Sequence, residues 1–235
     1  VMVSGALLLN EDKKFSTKQF YLKKLLPFTI VALFWFIFYS TYYSLINNQP
    51  FFDYFFSFKG TNCPHLWYLV MLFGLYLITP ILRLFVKKDN KKYIILFVCL
   101  ATLFNFLIFF LKDFTDSFNM FYEKMKFGFT TQYLTYFVLG WLLTNVEMNK
   151  KMKIAFIILG GLCLVGTAVG AAFDIDRWYT YGNEEGIFTF FYSIGFFLLL
   201  YRKENNKNHK IASFIGSRTF GIYILHMIFM EIFLR

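Results

Sequence analysis

Apolar residues in this chain form long, nearly uninterrupted runs, and the polar residues are confined to the short stretches between them. Charge, Asn or Gly bounds each run, and most runs are close to the ~20 residues that cross hydrocarbon as a helix. They are too long for strands and lack the alternation of a β-barrel, so each predicts a helix that satisfies its own backbone. The predicted spans are 27–46, 65–86, 93–111, 127–146, 154–172, 186–201 and 211–234.

The predicted fold class is therefore all-α, a polytopic transmembrane helix bundle with about seven complete spans. Residues 1–9 have the character of the end of an eighth span, because the apolar run is already under way at Val1. We expect the chain to begin inside a transmembrane helix. No internal repeat and no Pro- or Ser-rich linker divides it, which predicts one membrane-embedded domain over 1–235.

Composition supports the membrane assignment. Apolar residues make up 58% of the 235 positions and charged residues 16%, with 35 Phe and 16 Tyr. Soluble domains carry about 25% charged residues, so this chain has too few to cover the surface of a soluble protein of its length. Lipid removes the difficulty, because it is an apolar solvent for the outside of the bundle.

The positive charge is distributed unevenly among the connections between predicted spans. Sorted by alternate connections, the 24 Lys and Arg residues divide into 18 on one side and 6 on the other. By the positive-inside bias, the Lys-rich loops, including 10–26, are cytoplasmic and the connections 47–64, 112–126 and 173–185 are outside. The pattern therefore predicts a membrane protein whose Lys-rich loops lie on the cytoplasmic side. The net charge of +10 is thus a topology signal, and a nucleic-acid partner is not expected.

Residues that could do chemistry are scarce. His209 lies in a polar, charged stretch, whereas His65 opens a predicted span. His226 follows Arg218 by eight residues, which places it about 12 Å deeper along a helix. Ionisable groups inside a bilayer are costly and are candidates for function, although a histidine that hydrogen-bonds between helices fits equally well. Asn105 is interpreted as a residue that joins helices by a hydrogen bond. No metal-ligand spacing is present, and no metal is expected.

The last predicted helix has a face of small and polar residues. Gly216, Thr219, Tyr223 and His226 align at three- and four-residue spacing. We expect this face to point into the bundle.

Four blocks of sequence resemble the acyltransferase 3 family of membrane enzymes. The run HLWYLVMLFGLYLITP at 65–80 resembles the family's signature helix, and VSGALL at 3–8 resembles its second helix. The run FYLKKLLP at 20–27 resembles the basic segment before its third helix, and IGSRTFGIYILH at 215–226 resembles a late helix. The blocks occur in the family's order and cover the chain nearly from end to end.

The resemblance implies an enzyme that moves an acetyl or other acyl group from cytoplasmic acyl-CoA to a hydroxyl of a cell-surface or exported polysaccharide. Acyl-CoA enters as a co-substrate, and the expected partners are membrane lipid, the acyl-CoA and the glycan acceptor. The residue roles that it implies are, for catalysis, His226 and His65; for substrate binding, Trp67, Tyr76, Tyr223 and Ser217; and for binding the acyl-CoA phosphates, Lys23 and Lys24. A polysaccharide exporter without acyl transfer is the alternative.

Three departures from the family pattern accompany the resemblance. The family's principal catalytic His belongs to a first helix that we do not find in this chain, so we expect a fragment that lacks acyl transfer by itself. The basic segment has Tyr21 and Lys24 where two Arg are usual, and Lys lacks the guanidinium fork. Leu72 stands where many members carry a Glu, which removes a general acid from that position.

Overall fold

The computed structural model is predominantly helical in the part of the chain that it describes. The described residues are 1–48, 50–56, 66–107, 110, 131–173, 182, 186–201 and 210–234. Ten α-helices lie in these ranges: α1 Met2–Leu8, α2 Thr17–Phe20, α3 Leu26–Asn47, α4 Phe51–Phe56, α5 Trp67–Phe85, α6 Lys91–Thr102, α7 Gln132–Asn145, α8 Lys150–Ala172, α9 Ile187–Leu200 and α10 Lys210–Leu234. These ranges contain no strand, and the predicted all-α class is confirmed.

Helix ends follow local chemistry. Ser16, Thr131 and Asn149 cap α2, α7 and α8, each accepting a hydrogen bond from a backbone N–H of the first turn, as short polar side chains do at helix starts. Asn48 caps the C-terminus of α3, and its φ of 51° is left-handed, a conformation that Asn tolerates at a helix C-terminus.

Four described helices are long and apolar enough to cross a membrane: Thr17–Asn47, Trp67–Phe85, Lys88–Leu107 and Lys150–Ala172. Ile187–Leu200 is a shorter apolar helix. In their described parts all seven predicted runs are helical apart from a residue or two at their ends, and the bounds that fall on described residues agree with the predicted ones to within four residues. The predicted ends at 65, 111 and 127 lie outside the described residues. The total number of spans stays a prediction.

Two turns of π-helix interrupt the regular helices. Tyr21–Leu25 joins α2 to α3, and Leu103–Leu107 continues α6. Asn105 lies on the second π-turn, where its Nδ2 donates to Thr135 Oγ1 of α7 at 3.3 Å, and both residues are buried. The prediction that Asn105 joins two helices is confirmed.

The chain divides into two compact units. Unit 1 comprises Val1–Lys13 and Ile81–Lys203, and unit 2 comprises Lys14–Pro80 and Glu204–Arg235. In unit 1 the helices meet at glycines: an added Cβ at Gly5 of α1 would collide with the backbone of Phe137, and one at Gly140 of α7 with the backbone of Met2. Glycine permits such close backbone approach between membrane helices.

Unit 2 is packed instead by aromatic rings. Helices α3, α5 and α10 enclose a buried cluster of Ala32, Tyr39, Tyr43, Leu66, Leu69 and Ile224. Tyr39 Oη donates to the Ile224 carbonyl at 2.6 Å, which joins α3 directly to α10. The prediction of a single domain over the whole chain stays a prediction.

Candidate functional site

Six of the eight residues implied by the sequence resemblance can be placed, and all six lie in unit 2. Trp67 and Tyr76 lie on α5, Tyr223 and His226 on α10, and Lys23 and Lys24 on the π-turn Tyr21–Leu25. His65 lies outside the described residues. Ser217 belongs to α10, but its side chain is also outside them.

Tyr223 is the centre of contacts between α5 and α10. Its ring lies 5.3 Å from the ring of Tyr68, in an edge-to-face arrangement, and 5.7 Å from the imidazole of His226. Tyr68 in turn meets Trp67 at 6.2 Å. A continuous series of ring contacts therefore joins the start of α5 to His226 of α10 through Tyr68 and Tyr223.

The hydrogen bond of the His226 ring fixes its tautomer. Nδ1 lies 2.5 Å from the carbonyl oxygen of Tyr223. A carbonyl can only accept, so Nδ1 carries the proton and Nε2 is the nitrogen with the basic lone pair. A neutral imidazole held in this way can accept a proton or a hydrogen bond at Nε2.

The predicted inward face of α10 is only partly correct. Gly216 and Thr219 are exposed, while Ile224 is 1% exposed, with Phe220, Tyr223 and Met227 packed against the same cluster. The face of α10 that packs against the cluster is therefore the one that carries the large side chains. Broad aromatic and aliphatic groups fill the space beside Tyr39 and Leu69, which glycine and threonine cannot do.

Tyr76 is held among aromatic rings. It lies 6.1 Å from Phe20 and 5.5 Å from Phe28, and Phe28 lies 5.8 Å from Phe220 of α10. Phe28 thus connects Tyr76 to the helix that carries His226. The contacts of Tyr76 are those of a packing residue, and its substrate-binding role stays a prediction.

Lys23 and Lys24 are exposed on the π-turn. At Tyr21, the earlier of the two positions where the family usually has an Arg, the side-chain Oη donates to the Leu77 carbonyl at 2.9 Å. Leu77 lies three residues before Pro80, whose missing N–H removes the helical donor for the carbonyl of Tyr76, the neighbour of Leu77. At the position where the family usually has an Arg, this chain therefore makes a helix-to-helix hydrogen bond, and the exposed charge remains at Lys23 and Lys24.

Arg83 is a structural residue that sequence reasoning counted only as a topology signal. Its guanidinium donates to the carbonyls of Leu8, Asn10 and Lys13, at 2.5, 2.8 and 3.1 Å. The guanidinium supplies hydrogen-bond donors to carbonyls at and just beyond the C-terminal end of α1, where helical donors are missing. The ammonium of a Lys, which lacks the planar fork, could not bond all three carbonyls. The position of an Arg at the end of an apolar helix is the only sequence signal for this role.

Lys88 also contacts the segment that follows α1. Its backbone N–H donates to Glu11 Oε1 at 2.6 Å, and its ammonium lies 3.3 Å from Asp12 Oδ1. Both side chains of the ion pair are mostly exposed, so the contact positions the segment more than it stabilises the fold.

Two adjoining cavities lie in unit 1. A largely apolar cavity of about 650 Å³ runs between α1, α7 and α9, and a polar cavity of about 450 Å³ lies beside Asn10, Asp12 and Lys88. The two share Ala6, Leu7 and Tyr201 as wall residues. Apolar walls with a few placed polar groups are typical of ligand sites. No sequence motif marked them, because their walls come from segments far apart in the chain.

Residues 1–235, the whole chain, match the acyltransferase 3 family, described as an acyltransferase domain. The chain belongs to this family, and the predicted family membership is confirmed. With its long apolar helices, the protein is a membrane acyltransferase. Comparisons with curated proteins and with solved structures found no match.

Proposed function

We propose that this membrane acyltransferase moves an acetyl or other acyl group from acyl-CoA to a hydroxyl of a cell-surface or exported polysaccharide. The observation that carries the proposal is the His226 ring, which donates through Nδ1 to the Tyr223 carbonyl and lies beside the ring of Tyr223, which in turn contacts Tyr68. This chemistry suits a reaction in which a weakly acidic sugar hydroxyl becomes the nucleophile.

In the proposed reaction, His226 Nε2 accepts the hydrogen bond of the acceptor hydroxyl and aligns its oxygen with the thioester carbonyl. The C–O bond forms, the C–S bond breaks, and the hydroxyl proton passes to the departing thiolate of CoA. Half-burial of His226 among aromatic rings keeps bulk water away from the activated acyl group, which suppresses hydrolysis. His65 remains the second proposed catalytic residue.

The remaining proposed contacts follow the chemistry of the substrates. The residues proposed to bind the glycan are Trp67, Tyr76, Tyr223 and Ser217. Lys23 and Lys24 are proposed to attract the CoA phosphates, since both are exposed and ammonium groups bind phosphate as point charges. The Lys-rich loops are proposed to lie on the cytoplasmic side of a bacterial plasma membrane.

The test replaces His226 with Asn, whose amide nitrogen can still donate to the Tyr223 carbonyl but which has no basic nitrogen. In the full-length protein, we expect transfer of labelled acyl groups to surface glycan to fall at least tenfold in His226→Asn and in His226→Ala. Thr219→Ala, an exposed change on the same helix, should transfer at the wild-type rate.

The amount of each variant that is inserted in the membrane separates a catalytic role of His226 from a structural one. A structural role for His226 would lower the level of the Ala variant in the membrane but leave the Asn variant active. Normal transfer by both variants would remove His226 from the site. If the protein is instead a polysaccharide exporter, its inactivation should remove the glycan from the cell surface. Inactivation of an acyltransferase should remove only the acyl group on that glycan.

A further inference from the structure

The two adjoining cavities of unit 1 take no part in the chemistry proposed at His226. The largely apolar cavity of about 650 Å³ lies between α1, α7 and α9, and the polar cavity of about 450 Å³ lies beside Asn10, Asp12 and Lys88. Every residue that lines them belongs to unit 1. Together they form a composite cavity with an apolar part and a polar part, which matches a ligand that has an apolar chain and a polar head.

The apolar cavity has the depth of one leaflet of a bilayer. On α9 its wall extends from Thr189 to Tyr201, a separation of twelve residues, or about 18 Å along a helix. One leaflet supplies about half of a hydrocarbon core of roughly 30 Å. The polar cavity lies at the Tyr201 end, because Tyr201 is a wall residue of both cavities. The head of the ligand is therefore expected where α9 ends.

The volume of the apolar cavity corresponds to one acyl chain. At roughly 30 Å³ per non-hydrogen atom, a volume of about 650 Å³ has room for about twenty such atoms. Acyl chains of common membrane lipids have a similar number of carbons. A second chain of the same lipid would therefore lie outside the cavity, in the surrounding bilayer.

Glycine packing accounts for the space between these helices. Helix α1 touches α7 at Gly5 and Gly140, and α8 touches α9 at Gly160 and Gly195. The helices are thus drawn together in two pairs, and the apolar cavity lies where α9 faces α1 and α7. A space between apolar surfaces forfeits dispersion contacts, and an acyl chain from the bilayer would restore them.

The polar cavity has a cation and an anion side by side. Lys88 Nζ lies 3.3 Å from Asp12 Oδ1, and both residues line the cavity. Their contact uses one of the three ammonium N–H groups and one of the two carboxylate oxygens, so both groups can bind a ligand as well. The complementary head group has a phosphate for Lys88 and, close to that phosphate, an ammonium for Asp12. Phosphatidylethanolamine carries these two charges only two carbons apart.

We propose that the composite cavity of unit 1 binds a phospholipid with a primary-amine head group. One acyl chain fills the apolar cavity, the phosphate contacts Lys88, and the amine contacts Asp12. In the proposed topology this end of unit 1 faces the cytoplasm, so the lipid belongs to the cytoplasmic leaflet. The site goes beyond the proposed acyl transfer and does not involve His226, so either proposal can fail without the other.

The experiment measures lipid binding to the delipidated full chain by native mass spectrometry. Phosphatidylethanolamine and phosphatidylglycerol with the same acyl chains compete at equal concentration, because both have the phosphate and only the first has the amine. We expect the wild type to bind phosphatidylethanolamine about fivefold more tightly. Equal binding of the two lipids by the wild type would overturn the proposal.

Two variants test the two charges separately. Asp12→Asn should abolish the preference for phosphatidylethanolamine, and Lys88→Met should weaken both lipids, because both carry the phosphate. Asp89→Asn and Lys87→Met are the matched controls, since these exposed neighbours of Lys88 do not line the cavities, and they should bind as the wild type does. A preference that Asp12→Asn retains, or that Asp89→Asn also loses, would contradict the assignment.

Two further variants test the location of the acyl chain from opposite walls. Ala6 of α1 lines both cavities and Ser193 of α9 lines the apolar one, so Ala6→Phe and Ser193→Phe should each weaken both lipids at least fivefold. Unfolding in SDS shows which of these variants has folded, and one folded variant is enough for the test. A folded variant that binds the lipids like the wild type would show that the acyl chain lies elsewhere.

Discussion

The two units pack apolar helices in different ways. In unit 1 the backbones of α1 and α7 touch at Gly5 and Gly140, and those of α8 and α9 touch at Gly160 and Gly195. In unit 2 the helices α3, α5 and α10 are held apart by rings such as Tyr39, Tyr68 and Tyr223. Both kinds of helix packing therefore occur in one chain, although the helices in both units are apolar.

The two kinds of packing leave different spaces between the helices of each unit. Lipid tails are as apolar as the helix surfaces, so helix association in a membrane depends on close packing and hydrogen bonds. Glycine contacts bring backbones together and leave the neighbouring surfaces of α1, α7 and α9 open as a cavity. Aromatic packing fills the space between helices and fixes a polar ring, His226, within it. A substitution should therefore act through the backbone in unit 1 and through a single side chain in unit 2.

The largest effect is expected from Gly140→Ala. The new methyl group would overlap the backbone carbonyl of Met2, and a backbone cannot rotate away as a side chain can. Helix α1 must then move off α7, at a cost of about 3 kcal/mol or more in the free energy of unfolding. Unfolding in SDS, starting from a mild detergent, measures this. A variant as stable as the wild type would show that α1 and α7 are not in contact.

A smaller effect is expected from Gly160→Ala, and its neighbour provides the control. A Cβ at Gly160 would lie 2.9 Å from the Phe191 carbonyl oxygen and 3.0 Å from the Gly195 Cα. We expect a loss of about 1–2 kcal/mol as α8 and α9 separate slightly. Gly161→Ala has no described atom within 4 Å of the new group and should be neutral or more stable by up to about 1 kcal/mol. Equal effects of the two changes would contradict backbone packing at Gly160.

The smallest effect is expected in unit 2 from Tyr39→Phe. The ring keeps its packing, and the hydroxyl that donates to the Ile224 carbonyl is removed. One such hydrogen bond contributes about 1 kcal/mol, so the SDS transition should shift slightly. A loss as large as that of Gly140→Ala would mean that unit 2 also depends on a backbone-level contact, and the contrast between the units would fail.

Much of the fold was predictable because its determinants are local. Each apolar run specifies a helix by its length and by the need to satisfy its own backbone in lipid, and capping residues such as Thr131 and Asn149 set the helix starts. Asn105 was predictable as a joining residue because an amide inside an apolar run needs a partner. The four blocks of sequence also identified the family that the whole-chain match confirmed.

The contact faces were decided only by tertiary structure. Gly160 and Gly161 are adjacent and identical as residues, yet one meets a backbone and the other meets nothing. Likewise, α10 turned Ile224 inward, and its small, polar Thr219 stayed exposed. On a helix that is apolar around its whole circumference, hydropathy does not distinguish a lipid-facing side from a packed one. Which side is packed depends on the shape of the opposing helix. The role of Arg83 arises in the same way, because its guanidinium and the carbonyls of Leu8, Asn10 and Lys13 are distant in the chain and meet only when it folds.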